Sequence, residues 1–125
     1  KMEPDQSKPI IQGIFHLTFV QNPGAAFGLM KYQTGLFIVI TVVVILIIVV
    51  YSRKLGKGDN LFRVALGLQL GGAVGNLADR VRFGYVVDFL DFRVWPVFNL
   101  ADTAIVVGVV LFAYELLRRG DREVV

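Results

Sequence analysis

Leu36–Tyr51 reads LFIVITVVVILIIVVY and lies within 21 consecutive uncharged residues between Lys31 and Arg53. A helix that crosses the hydrocarbon core of a bilayer needs roughly 20 such residues. The run is rich in β-branched side chains, but it is too long and too uniform for a strand. Composition agrees: of 125 residues 55% are hydrophobic and 18% charged, where a soluble domain carries about a quarter charged residues. The mean hydropathy is +0.64. The chain reads as an integral membrane protein.

Two further segments have membrane length. Leu61–Ala78 is apolar except for Arg63, Gln69 and Asn76, and Asn99–Leu117 carries Asp102 near its start and Glu115 near its end. Ahead of the first span, Pro9–Leu29 mixes apolar and polar residues, with Phe15, Leu17 and Phe19 alternating. That alternation predicts one or two short strands at the membrane surface, and Asn22-Pro23-Gly24 is a turn signal. The expected fold is a mainly α membrane bundle with a small extracytoplasmic β-region, one domain over residues 1–125, closing on a polar end at Gly120–Val125. Arg53, Lys54, Lys57 and Arg63 lie between spans one and two, and Arg118, Arg119 and Arg122 close span three. With three spans both clusters fall on one side, which the positive-inside rule makes cytoplasmic. Lys1 then starts on the outer side with no span or signal segment ahead of it, so the expectation is that a first transmembrane helix is missing upstream and the full count is four.

The same arithmetic removes classes of chemistry. With no Cys there is no disulfide, thiol nucleophile or thiolate metal site. One His (His16) cannot build a His-rich zinc site. Ser7 and Ser52 are the only serines, and neither sits in a G-x-S-x-G turn. The net charge of +3 is placed as membrane topology rather than as a nucleic-acid footprint, and no nucleic-acid partner is expected. Carboxylate chemistry remains.

Asp79, Asp88, Asp91 and Asp102, with Asp5 further off, gather toward the outer half. The tetrapeptide Asn-Leu-Ala-Asp occurs twice, at Asn76–Asp79 and Asn99–Asp102, and its i, i+3 spacing turns amide and carboxylate to one side of a helix. Asp102 lies about a turn inside an apolar span, where an ionisable group is a functional hypothesis by default. Asp88, after the extended-looking Tyr85-Val86-Val87, is its natural partner. Two carboxylates a few ångströms apart would share one proton: one takes a proton from water while the other donates to a carbonyl oxygen. A helix N-terminus at Asn99 favours an anion at Asp102. On these residues alone, a dyad and a pair of unrelated interfacial acids stand about level.

Four blocks then match a family in order and spacing: Asn22–Gly28 (NPGAAFG), Gly71–Arg80 (GGAVGNLADR), Val86–Phe89 (VVDF) and Phe98–Ala104 (FNLADTA). Over nearly the whole chain the sequence resembles bacterial lipoprotein signal peptidase (signal peptidase II). The resemblance implies that Asp88 and Asp102 are the catalytic aspartates and that Asn22, Asn76, Asp79, Arg80, Asn99 and Ala101 line or support the site. It implies a diacylglyceryl-modified prolipoprotein as substrate, cut on the amino side of the lipidated Cys. It places a monomeric, multi-pass enzyme among the lipids of the bacterial cytoplasmic (inner) membrane, with its site on the extracytoplasmic face and no metal or organic cofactor. The family's first helix ends in an Asp-Gln-x-x-Lys-like motif, which Asp5-Gln6-Ser7-Lys8 echoes without a preceding span; this stretch is expected at the surface.

Plainer readings stand beside these. Gly67, Gly71 and Gly75, four apart, suit close helix packing. Asp79, at an expected helix C-terminus, suits pairing with Arg80 or Arg82 as well as it suits chemistry. Asp91 and Arg93 read as a solvated rim, Glu115 and its arginines as an interfacial belt, and His16 as a strand residue. Trp95-Pro96 suits an interfacial anchor or a flap over the site. Other functions are a proton- or cation-coupled transporter relaying through Asp102, for which span one offers only Thr34 and Thr41, and a scaffold that leaves the aspartates idle.

Overall fold

The computed structural model describes residues 2–23 and 33–124, with side chains to residue 120. Residues 24–28 of the first family block, and with them the last residue of the Asn22-Pro23-Gly24 turn, lie outside the described residues, as does the Arg122 side chain. In chain order the elements are β1 (Ser7–Ile11), β2 (Phe15–Asn22), α1 (Thr34–Ser52), α2 (Asn60–Phe83), β3 (Val86–Asp91) and α3 (Leu100–Val124). All three helices are long and apolar enough to cross a membrane. The expected helical bundle with a small strand region is what forms.

Two spans outrun their expected ends. Helix α2 continues past Ala78 to Phe83, because Asp79, Arg80 and Arg82 remain helical until Gly84 takes φ +80° and its N–H closes back on the Arg80 carbonyl. That left-handed stop is one a glycine adopts without steric cost. Arg80 and Arg82 in the last turn suit the negative end of the helix dipole. Helix α3 runs through the expected polar end to Val124: the segment carries no proline, and polar side chains do not stop a helix that has left the bilayer.

Most of α1 faces outward, with Ile48 buried, while Ala65, Leu66 and Ala73 of α2 are buried. Side chains such as Ile47, Leu46, Val106 and Val110 are more than half exposed, as spans bounded by lipid require. Helices α2 and α3 approach closely at Gly72 and Gly108. A Cβ at Gly72 would strike the Ala101 carbonyl and come within 2.5 Å of Ile105 Cγ1; one at Gly108 would lie 2.6 Å from the Ala65 carbonyl. The expected Gly67-Gly71-Gly75 stripe is thereby corrected. A Cβ at Gly67 or Gly71 would meet nothing within 4 Å, and one at Gly75 would make ordinary contact with Ala101 Cβ at 3.4 Å. A four-residue spacing marks one face of a helix but not the face its neighbour uses.

The strands form one antiparallel sheet in the order β1-β2-β3, with Val20 opposite Asp88 and Asn22 opposite Val86. Pro9 lies in edge strand β1, where a missing N–H does least harm. The chain beyond β3 folds back so that Phe98 bridges Leu90, and this return delivers Asn99 to the start of α3. Phe92 stacks between Phe15, 4.9 Å away, and Phe98, 6.0 Å away between ring centroids. Lys8 and Asp5 are exposed, as expected for the surface stretch.

Asp91 is no solvated rim. It is 5% exposed and accepts from Thr18 Oγ1 (2.6 Å), the Arg93 N–H (2.8 Å) and Arg93 Nη1 (3.0 Å). Burial pushes its carboxyl up, but the Thr18 and Arg93 contacts outweigh that and hold it below the usual range. Arg93 itself takes φ +68° to make the turn. His16 is the strand residue expected, and it is buried. Its Nε2 accepts the Gly13 N–H at 3.2 Å, so Nδ1 carries the proton toward Ser7 Oγ, 2.9 Å away. Glu115 is likewise deeper than a belt: it is 2% exposed and pairs with Arg118 and Arg119. Arg119 also reaches Asp59 at 2.6 Å and the Gly58 carbonyl, tying α3 to the α1–α2 connection.

The close contact yields a test. Gly72→Ala is expected to cost about 1–3 kcal/mol by overpacking, whereas Gly71→Ala leaves stability unchanged or raised. Thermal unfolding of both variants in detergent distinguishes them; equal melting temperatures would remove Gly72 as the point of approach.

Candidate active site

Asn99 is the residue just ahead of α3, and its Oδ1 accepts the Asp102 N–H at 2.8 Å. This is an N-cap bond, satisfying a donor that the first helical turn leaves open. The same side chain points its Nδ2 back at the sheet, to Asp88 Oδ1 (3.0 Å), Val87 O (3.2 Å) and Asn76 Oδ1 (3.2 Å). Asn76, from α2, gives its own Nδ2 to Asp102 Oδ1 at 2.9 Å. Asn22, from β2, gives Nδ2 to Asp88 Oδ2 at 2.9 Å. Three asparagines on three different elements thus hold two carboxylates at the junction of α2, β3 and α3. Asn22, Asn76, Asn99 and Asp88 are each less than 8% exposed.

The other expected residues surround this core in different ways. Asp79 accepts the Val87 N–H at 3.1 Å, so its carboxylate fixes the start of the strand that carries Asp88, and the expected pairing with Arg80 or Arg82 gives way to this backbone contact. The strand lies within reach of Asp79 because α2 continues past it for a turn. Arg80 lies over the Phe37 ring at 5.0 Å, and its charge acts on Asp102, Asp88 and Asp79. Ala101 offers its backbone and Cβ to the glycines of α2, and thereby seats the first turn of α3 rather than offering a functional group. Among the described residues, no group of three or more His, Cys, Asp or Glu is placed to hold a metal ion.

Asp102 also faces a cavity of about 310 Å³ whose other walls are Trp95, Val97, Phe98, Thr103, Val106 and Val107. An apolar hollow with one carboxylate in its wall suits a ligand that presents hydrocarbon beside a polar bond. Sequence reading missed Thr103, Val106 and Val107. Their signal was available in the i+1, i+4 and i+5 positions from Asp102, one flank of α3.

A profile described as signal peptidase (SPase) II matches residues 1–118. The chain belongs to the signal peptidase II family. It is 56% identical over 115 residues to the lipoprotein signal peptidase of Moorella thermoacetica, covering 92% of this chain and 77% of that one. It is 52% identical over 124 residues to that of Halothermothrix orenii, covering 97% and 85%. A solved bacterial membrane enzyme, determined by the in meso method at 2.3 Å resolution, superposes with a TM-score of 0.92 at 32% identity over 97% of this chain and 76% of that one. As a signal peptidase II the protein is a membrane peptidase that removes signal peptides, which settles the choice against the transporter and the idle scaffold. Of the two α1 threonines, Thr41 gives its hydroxyl to the Phe37 carbonyl and Thr34 to the Gly84 carbonyl.

Burial pushes the Asp88 carboxyl up to about 6. The neighbouring Asp102 charge adds to this, against the opposing pull of the Asn22 and Asn99 hydrogen bonds and the Arg80 charge. A carboxyl raised in the folded state contributes stability that is fully present below its unfolded value and is lost as the pH rises through the folded value. A rise from 3.8 to about 6 corresponds to up to about 3 kcal/mol. The protein is therefore expected to lose stability between pH 4 and 7, and Asp88→Asn to lack this slope. Melting temperatures of both proteins across that range are the measurement; parallel curves would show that Asp88 titrates normally.

Proposed function

We propose that the protein is an aspartyl endopeptidase that removes the signal peptide from diacylglyceryl-modified prolipoproteins, cutting on the amino side of the lipidated Cys. The observation that carries the reading is the shared asparagine: one side chain caps the helix at Asp102 and binds the carboxylate of Asp88. An enzyme that must hold two acids toward one water gains from such a bridge, since catalysis by positioned acid and base depends on geometry first. In the proposed step Asp102 takes a proton from water as the oxygen adds to the scissile carbonyl. Asp88, protonated below about pH 6, gives its proton to the carbonyl oxygen. Collapse of the tetrahedral adduct breaks the C–N bond as Asp102 passes its proton to the leaving amine and a hydroxyl of the adduct returns one to Asp88.

The cavity beside Asp102 supports the lipid-dependent part. Its apolar walls would bury acyl chain at about 0.8 kcal/mol per CH₂, and that burial would set the register of the cleaved bond. Arg53, Lys54, Lys57, Arg118 and Arg119 lie at the end of the bundle away from the asparagines, so the positive-inside rule supports a site on the extracytoplasmic face of the bacterial inner membrane. A monomer suffices, because both acids come from one chain.

Cleavage of a diacylglyceryl-modified prolipoprotein in liposomes tests the proposal. Asp88→Asn and Asp102→Asn are each expected to lower kcat by about 10²–10⁴-fold or more while the protein remains folded, and unlipidated precursor is expected to be cut far more slowly. Activity surviving in either variant would make that residue structural. Equal rates on the unlipidated precursor would remove the lipid from recognition.

A further inference from the structure

At the end of the bundle away from the aspartates, a groove of about 320 Å³ runs between α1 and α2, lined by Ile48, Leu66, Gly67 and Leu70 and closing on Ser52 and Arg63. We infer that this groove binds one anionic phospholipid, with the phosphodiester at Arg63 and an acyl chain along the glycine-opened channel. Nothing in the peptidase reaction uses these residues.

Three features carry the inference. The first is shape. Gly67 is exposed, and a Cβ there would meet nothing within 4 Å, so this glycine is not required by helix packing, and its missing side chain deepens the channel. From Arg63 to Leu70 the helix rises about 10 Å, the length of a substantial part of an acyl chain. The second is chemistry at the mouth. Arg63 donates Nη1 to Asn60 Oδ1 and Nη2 to the Gly56 carbonyl. These bonds hold the guanidinium at the channel end, and the group has five N–H donors in all. The remaining donors suit the unesterified oxygens of a phosphodiester.

The third is charge. Among the residues whose side chains are described, the acids at this end are Asp59 and Glu115; both are ion-paired to Arg119 or Arg118, and the Arg63 charge also acts on Asp59. Arg53, Lys54, Lys57 and Arg63 have no carboxylate within 4.0 Å among the side chains described. An arginine at the mouth of a channel lined by hydrocarbon, with Arg53, Lys54 and Lys57 exposed near the same end of the bundle, complements a lipid that joins a negative head to an acyl tail. Attraction of an anionic headgroup amounts to about fivefold in affinity per basic residue near the surface.

Native mass spectrometry of the detergent-purified protein tests this, with added phosphatidylglycerol and phosphatidylcholine of identical acyl chains. One bound phosphatidylglycerol is expected, preferred over phosphatidylcholine by about tenfold or more. Arg63→Gln is expected to lose about fivefold of that preference and Arg63→Lys to keep most of it. Gly67→Leu is expected to lose retention of the lipid altogether, with melting temperature and cleavage of the prolipoprotein unchanged. Equal retention of the two lipids, or the same preference in Arg63→Gln, would overturn the site. So would undiminished binding in Gly67→Leu, or competition by glycerophosphate as strong as by the whole lipid. Absence of any retained lipid in the unaltered protein would overturn it too.

Discussion

The hydrogen bonds of the Asn99 side chain join the membrane bundle to the surface sheet. Its carbonyl oxygen serves α3, replacing a partner that the first turn of any helix lacks, while its amide serves the strand that carries Asp88 and the helix that carries Asn76. Two N–H groups face three acceptors at 3.0–3.2 Å, so the amide cannot rotate without losing partners on two elements at once. Such a buried network is stabilising only when each member is satisfied. Among the described residues, no buried side-chain nitrogen or oxygen is left without a partner.

The rest of the architecture can be traced from that requirement. Asn76 reaches Asp102 because α2 and α3 are nearly in backbone contact at Gly72 and Ala101. Asp88 reaches Asn99 because the chain after β3 returns along its own strand, through the Phe98–Leu90 bridge. The return is held at its far end by Asp91, which gathers Thr18 from the neighbouring strand and the backbone of Arg93. Hydrocarbon packing by itself would not fix these distances, because lipid tails compete equally well for apolar side chains. Close glycine contacts and satisfied polar groups supply the specificity.

The bundle is also polarised along its length. Carboxylates held by asparagines occupy the sheet end, whereas arginines and lysines occupy the other, where they lock α3 to the α1–α2 connection and leave four cations facing outward. This separation keeps the proposed cleavage site away from the groove proposed to hold an anionic lipid, so each can be perturbed without the other. Glu115 illustrates the structural side: a buried carboxylate within an apolar helix, with a purpose given by its two arginine partners rather than by any reaction.

Much of this was legible before any coordinates. Uncharged runs of bilayer length dictate spans because unsatisfied backbone in hydrocarbon is prohibitive, and the alternation around Phe15–Phe19 dictates strands because side chains in a strand alternate sides. The duplicated Asn-Leu-Ala-Asp motif marks Asn76, Asp79, Asn99 and Asp102 as worth watching. Which glycines touch, that Asp91 is buried rather than solvated, that Asp79 holds Val87 rather than an arginine, and that Thr103, Val106 and Val107 share a cavity with Asp102 were decided only by tertiary structure. Periodicity fixes which residues share a face, but the partner of that face is set by contacts between residues distant in the chain, and no local pattern encodes those.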